Sequence, residues 1–146
     1  MQLQQINRDD AEKVFISIKA VHGATISANM GVVLACTGSS VDGISAVRPI
    51  NTSFLGWVGI ADADIADAGY GRAQNYGYRD SVLLSHEGTS ITVTIGDALH
   101  LVSGQFGLNT STVEALSTMG CKYVICAATT TISAAAYAKG IIRCLG

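Results

Sequence analysis

Charge is scarce in this chain. Asp, Glu, Lys and Arg make up only 14% of its 146 residues, while 49% are hydrophobic. An ordinary soluble domain carries about 25% charged residues. A small domain needs charge to cover its surface, so this chain is expected to bury much of its surface against other chains. The net charge is -2 and there is no block of Lys or Arg. Nucleic-acid binding by counterion release needs clustered cations, so that class is set aside.

Other absences narrow the field further. There is one proline, Pro49, and no linker-like stretch, which implies a single domain over 1–146. There is no G-x4-G-K-[ST] phosphate loop, no H-E-x-x-H and no G-x-S-x-G elbow. The expectation is a protein that is not an enzyme and uses no cofactor. Cys36, Cys121, Cys126 and Cys144 have no second pair at metal-ligand spacing, and His22, His86 and His100 are scattered. No metal site is expected. The start, MQLQQINRDDAEK, is polar and has no apolar core of a signal peptide. The uncharged run from Tyr123 to Ala138 is short of the roughly 20 residues that span a bilayer, and it is rich in Ala, Thr and Ser. It reads as a buried or oligomer-facing segment, so no membrane partner is expected.

What is present has two textures. Asn7 can cap a helix, and Asp9, Asp10 and Glu12 suit its positive end. Val14, Phe15, Ile18 and Val21 then recur at three- and four-residue steps, and Gly23 can end the helix. This predicts a helix over about 8–22. Beyond it, β-prone runs alternate with Gly, Ser, Asn and Asp. Strands are expected near 31–36, 44–49, 54–60, 71–78, 81–85, 91–95 and 141–145. The fold class is mainly β with an N-terminal α-helix, its β-rich body over 31–146 forming an antiparallel barrel or sandwich. Residues 112–119 fit a short helix or a strand. Residues 123–138 fit two strands, or a strand and an Ala-rich turn.

Three stretches invite a chemical reading. Asp62, Asp64 and Asp67 form the densest acidic group, but Ile65 stands where a calcium loop needs a ligand. They read as a connection between strands, with Asp64 or Asp67 accepting from backbone amides. Gly96-Asp97 reads as a turn. Trp57 is either core or an interface anchor. The run AGYGRAQNYGY carries no helical stripe, so it is no phosphate loop. Tyr70, Arg72, Gln74, Tyr76 and Tyr78 alternate with Gly71, Ala73, Asn75 and Gly77. That is a strand with large side chains on one face and mostly small ones on the other, which lets a second layer approach closely.

The run FLGWVGIADADIADAGYGRAQNYGYRDSVLLS resembles small virion proteins of tailed bacteriophages. In these a strand ending "GvA..di" leads through a turn to "yGrvQ.yGy...v". Gly59, Ala61, Asp64, Ile65, Gly69, Tyr70, Gly71, Gln74, Tyr76, Gly77 and Val82 carry the likeness. A following "itvGdaL" matches Ile91 to Leu99. The likeness is clear over about 54–99 and looser elsewhere; Arg72 and Asn75 depart from it. The resemblance implies a head decoration or cement protein, β-rich, on the outer surface of the head and assembled in the host cytoplasm. Its partners would be the major capsid protein and itself, as a trimer, with Trp57 and Tyr78 as possible interface residues. The alternative is a carbohydrate- or receptor-binding module of a virion that stacks a ligand on Tyr70, Tyr76 and Tyr78.

Overall fold

The computed structural model describes residues 12–35, 42–49, 56–85, 91–102, 107–109 and 124–143. Within them lie eleven strands and no helix. They are β1 (Val14–Ala20), β2 (Gly31–Leu34), β3 (Ser45–Val47), β4 (Trp57–Ala61), β5 (Tyr70–Leu84), β6 (Ile91–Val93), β7 (Ala98–Leu101), β8 (Leu108–Asn109), β9 (Val124–Cys126), β10 (Thr130–Ile132) and β11 (Ala136–Arg143).

The expected helix over 8–22 is therefore corrected: its second half is β1. Residues 7–11 and 112–119 lie outside the described residues. The sequence VFISIKA satisfies two rhythms at once. Val14, Phe15 and Ile18 fit helical spacing, but Ile16, Ile18 and Ala20 fit alternation. The second rhythm wins, because Ile18 and Ala20 are buried while Ser17 is exposed. All three residues on that face are β-branched or small, and the strand is completed by pairing with distant β5. Of the run 123–138, Tyr123 lies outside the described residues and the rest resolves into β9, β10 and the first residues of β11. Among the described residues no helix is long and apolar enough to cross a membrane.

Nine strands pair in the order β1-β3-β2-β4-β5-β11-β9-β7-β8, and β5 also pairs with β1 and with β8. The pairings thus close two circuits of five strands that share β5. An odd circuit cannot be antiparallel throughout, because strand direction must return to its start after an odd number of steps. Each circuit contains one parallel pair: β1 with β3, through Lys19↔Ser45, and β5 with β8, through Leu84↔Leu108. The expectation of a wholly antiparallel sheet is corrected on that ground. β6 and β10 form a separate two-stranded sheet.

Two apolar clusters match the two circuits. The first holds Ile18, Ala20, Ile26, Val32, Ala46, Val58, Ala61, Ile65 and Ala73. The second holds Val82, Leu84, Val93, Leu99, Leu101, Leu108, Val124 and Ile142, together with Val33 and Ile60 from β2 and β4. Neighbouring residues of β2 and β4 therefore serve different clusters. That is why GVVL and WVGIA are unbroken apolar runs: both of their faces are covered. β11 covers one face only and alternates cleanly, with Ala138, Gly140 and Ile142 buried and Tyr137, Lys139, Ile141 and Arg143 exposed.

Candidate functional site: the β4–β5 turn and the faces of β5

The connection from β4 to β5 is fixed by its own carboxylates. Asp64 Oδ1 accepts from the Ala28 amide at 2.8 Å, and Asp67 Oδ1 accepts from the Gly23 amide at 2.9 Å. Between them Ile65, buried, exchanges two backbone hydrogen bonds with Ile26 at 2.8 and 2.9 Å. Asp62 turns the other way, with Oδ2 2.9 Å from Arg72 Nη2 and Oδ1 3.4 Å from Arg79 Nη1. The three carboxylates have different partners and do not converge, and no group of metal-ligating side chains occurs among the described residues. Asp64 and Asp67 accept from backbone amides, as the strand-connection reading expects. Gly69 closes the turn by donating to Ala66 O at 2.8 Å, and Ala20 donates to Gly69 O at 2.9 Å. Ala68 sits at φ 60° here, a conformation costly for a residue with a Cβ. Near the same end, burial holds the His22 imidazole below its ordinary pKa; the Arg48 charge acts the same way and Asp67 opposes it.

β5 is one strand of 15 residues where two were expected. Its ladder is broken twice. Val14 pairs with Tyr76 and Phe15 with Gln74, which leaves Asn75 as an extra residue. Ala138 pairs with Val82 and Gly140 with Arg79, which makes a second bulge. The bulged pair is Asp80-Ser81, opposite Lys139, so the polar Arg79-Asp80 between 71–78 and 81–85 marks a bulge and not a turn.

Between the bulges lies a polar joint that joins the circuits. Gln74 is 1% exposed. Its Nε2 donates to Tyr76 O at 3.1 Å and Tyr78 O at 3.0 Å, and its Oε1 accepts from Arg79 Nη1 at 3.2 Å. Arg79 also donates from Nη2 to Ala61 O at 2.9 Å and to Asn29 Oδ1 at 2.8 Å. Asn29 holds φ 69°, and its own carbonyl accepts from the Leu83 amide at 3.0 Å. A guanidinium whose side chain is only 11% exposed is tolerated here because six acceptor atoms surround it. Sequence reasoning found Gln74 but missed Arg79 and Asn29. The signal lay in a lone Arg inside a strand and in the turn Asn of SANMG, and neither names its partner.

The small residues of β5 do what their size suggests. A Cβ on Gly71 would come within 2.5 Å of the Ile65 side chain. Gly77 sits at φ 99°, where a Cβ would also collide with the Glu12 carbonyl oxygen. Gly59 on β4 is similar, at φ 146° against the Gln74 carbonyl. The motif residues Gly59, Asp64, Gly69, Gly71, Gln74 and Gly77 thus meet in one framework. The tyrosines do not join them in one site. Tyr70 is 71% exposed and pairs with Lys19, whose Nζ lies 5.9 Å from the ring centroid. Tyr76 pairs with Val14 and Arg143, and Tyr78 with Ile141. Six residues of strand put Tyr70 about 20 Å from Tyr76. Tyr78 Oη donates to Asp80 at 2.8 Å, and that bond to the carboxylate raises the phenol's pKa. Trp57 is half-buried and packs against the second cluster beside Val47. Asp97 caps its turn as expected, accepting from the Thr94 amide at 2.7 Å.

No protein-family model matches the chain, and no curated protein sequence matches it.

Proposed function

We propose that this chain is a structural virion protein that decorates and stabilises the head of a tailed phage, binding the major capsid protein and itself. In this reading each five-strand circuit is a small β-barrel, the assembled form is a trimer on the outer surface of the shell, and the chain is not an enzyme. The observation that carries the proposal is the use made of the β4–β5 motif. The residues that resemble phage virion proteins are engaged in holding a turn and a strand. Asp64, Ile65, Gly69 and Gln74 all bond to partners within the chain. Such a motif preserves a shape, which is what an assembly protein needs. Low charge and exposed apolar side chains such as Val14, Tyr137 and Ile141 add to it.

The test is sedimentation of the purified chain in low and in molar salt, then co-sedimentation with empty expanded heads. A trimer in both buffers that pellets with heads supports the proposal, since apolar contacts resist screening. A monomer that ignores heads ends it. A second reading, a glycan-binding module, draws on the exposure of Tyr70. It predicts glycan-dependent quenching of tyrosine fluorescence that is lost in Tyr70→Ala. The Lys19 ammonium beside that ring, and the distance to Tyr76, argue against a shared stacking platform.

A further inference from the structure

The outward side of β5 and β11 carries a nearly symmetric pattern. Tyr137 lies beside Leu83 at one end, and Ile141 beside Tyr78 at the other. Between these apolar pairs the ladder shifts, with Ala138 opposite Val82 and Gly140 opposite Arg79. Lys139 therefore faces the bulged pair Asp80-Ser81, and both Lys139 and Asp80 are exposed. Tyr137 and Ile141 are 57% and 39% exposed. Asp80 accepts a hydrogen bond from Tyr78, which holds its carboxylate at the middle of the strip. Among the described residues neither Asp80 nor Lys139 forms an ion pair.

We propose that this strip is a two-fold docking surface for a second copy of the chain. A two-fold axis that runs along the strands, midway between β5 and β11, turns the strip onto itself. Tyr137 of each copy then covers Leu83 of the other, and Ile141 of each covers Tyr78 of the other. Lys139 of each meets Asp80 of the other, so both signs are matched across the contact. The strip is about 15 Å long and about 10–15 Å wide. It buries roughly 300–450 Å² in total, well under the approximately 1,200 Å² of a stable interface. The contact is weak in free solution and gains strength where copies are held side by side. It differs from the proposed three-fold ring, which needs two different patches on each copy, while this contact uses one patch twice.

The test uses the full chain. Sedimentation equilibrium up to about millimolar concentration is expected to show weak pairing, matching an interface of this size. Lys139→Glu and Asp80→Lys each place like charges across the axis and should weaken pairing at least about tenfold. Mixing the two variants should restore pairing to within about threefold of the unmodified protein, because two negative charges then meet two positive ones. In the unmodified protein, amide signals of Tyr137 and Ile141 should shift with concentration. Variants that pair like the parent, a mixture no better than its components, or concentration-independent signals would each overturn the proposal. The ring is read from the mass of the unmodified protein and the two-fold contact from charge pairing, so either can fail alone.

Discussion

The two apolar clusters are built from different residues. The first is small and close-set, with Ala20, Ala46, Ala61 and Ala73 beside Ile and Val and no leucine among its buried members. The second is filled with Leu84, Leu99, Leu101 and Leu108. Close-set strands leave no room for growth, while a leucine core suffers most from loss of volume. The same fold therefore has two failure modes, one at each end of β5.

Substitution separates them. The largest effect is expected at the joint beside the first circuit, where Gly77→Val adds a branched side chain against the Glu12 backbone at a φ that disfavours it. It should cost on the order of 4 kcal/mol, enough to prevent folding of a marginal domain, and is read by thermal melting. In the second circuit, Leu99→Ala should cost about 3 kcal/mol in urea titration and leave the fold intact. If enlargement at Gly77 were harmless, the contrast between the circuits would fail.

Arg79→Met tests the joint between them. It strands the acceptors Asn29 Oδ1, Gln74 Oε1 and Ala61 O, and should cost about 2–3 kcal/mol. Hydrogen exchange should then rise at the amides of both circuits; a rise in one alone would show that Arg79 serves a single side. The pH response sharpens the picture at the edge of the first circuit. The Ser45 amide, then the Ile44 amide and the Ser45 hydroxyl, hold the Asp42 carboxyl below its ordinary value. A depressed folded pKa gives stability that is present above the unfolded pKa and lost as pH falls through the folded one. Asp42→Asn should therefore flatten the acid limb of the stability curve below about pH 4. The smallest effect is a gain: Ala68→Gly relieves φ 60° and should raise stability by about 0.5–1 kcal/mol.

Much of the β framework was legible because it is local. β2, β3, β4 and β6 follow from short apolar runs between turn residues, and Gly96-Asp97 follows from turn chemistry. The small face of β5 was legible too, in Gly71, Ala73 and Gly77. What was not legible depends on distant partners. The rhythm of 14–21 fits helix and strand alike, and only pairing with β5 decides it. Gln74 and Arg79 are polar, and nothing local marks them as partners. They meet inside the joint because two bulges, set by β1 and β11, aim them at each other. β7 is four residues long, and its neighbours β9 and β8 come later in the chain. No local pattern shows that a circuit has an odd number of strands.

Sharing β5 also sets an order of events during synthesis. The first circuit has every one of its strands once β5 has left the ribosome, so Ile18, Val32 and Ala73 can be enclosed early. The second circuit needs β11, the last of the described strands to be made. Until then Val82 and Leu84 belong to a strand already paired at one end and bare at the other. For that interval the nascent chain carries an open apolar edge on a half-finished molecule. This is where a chaperone, or a second nascent copy, would find it.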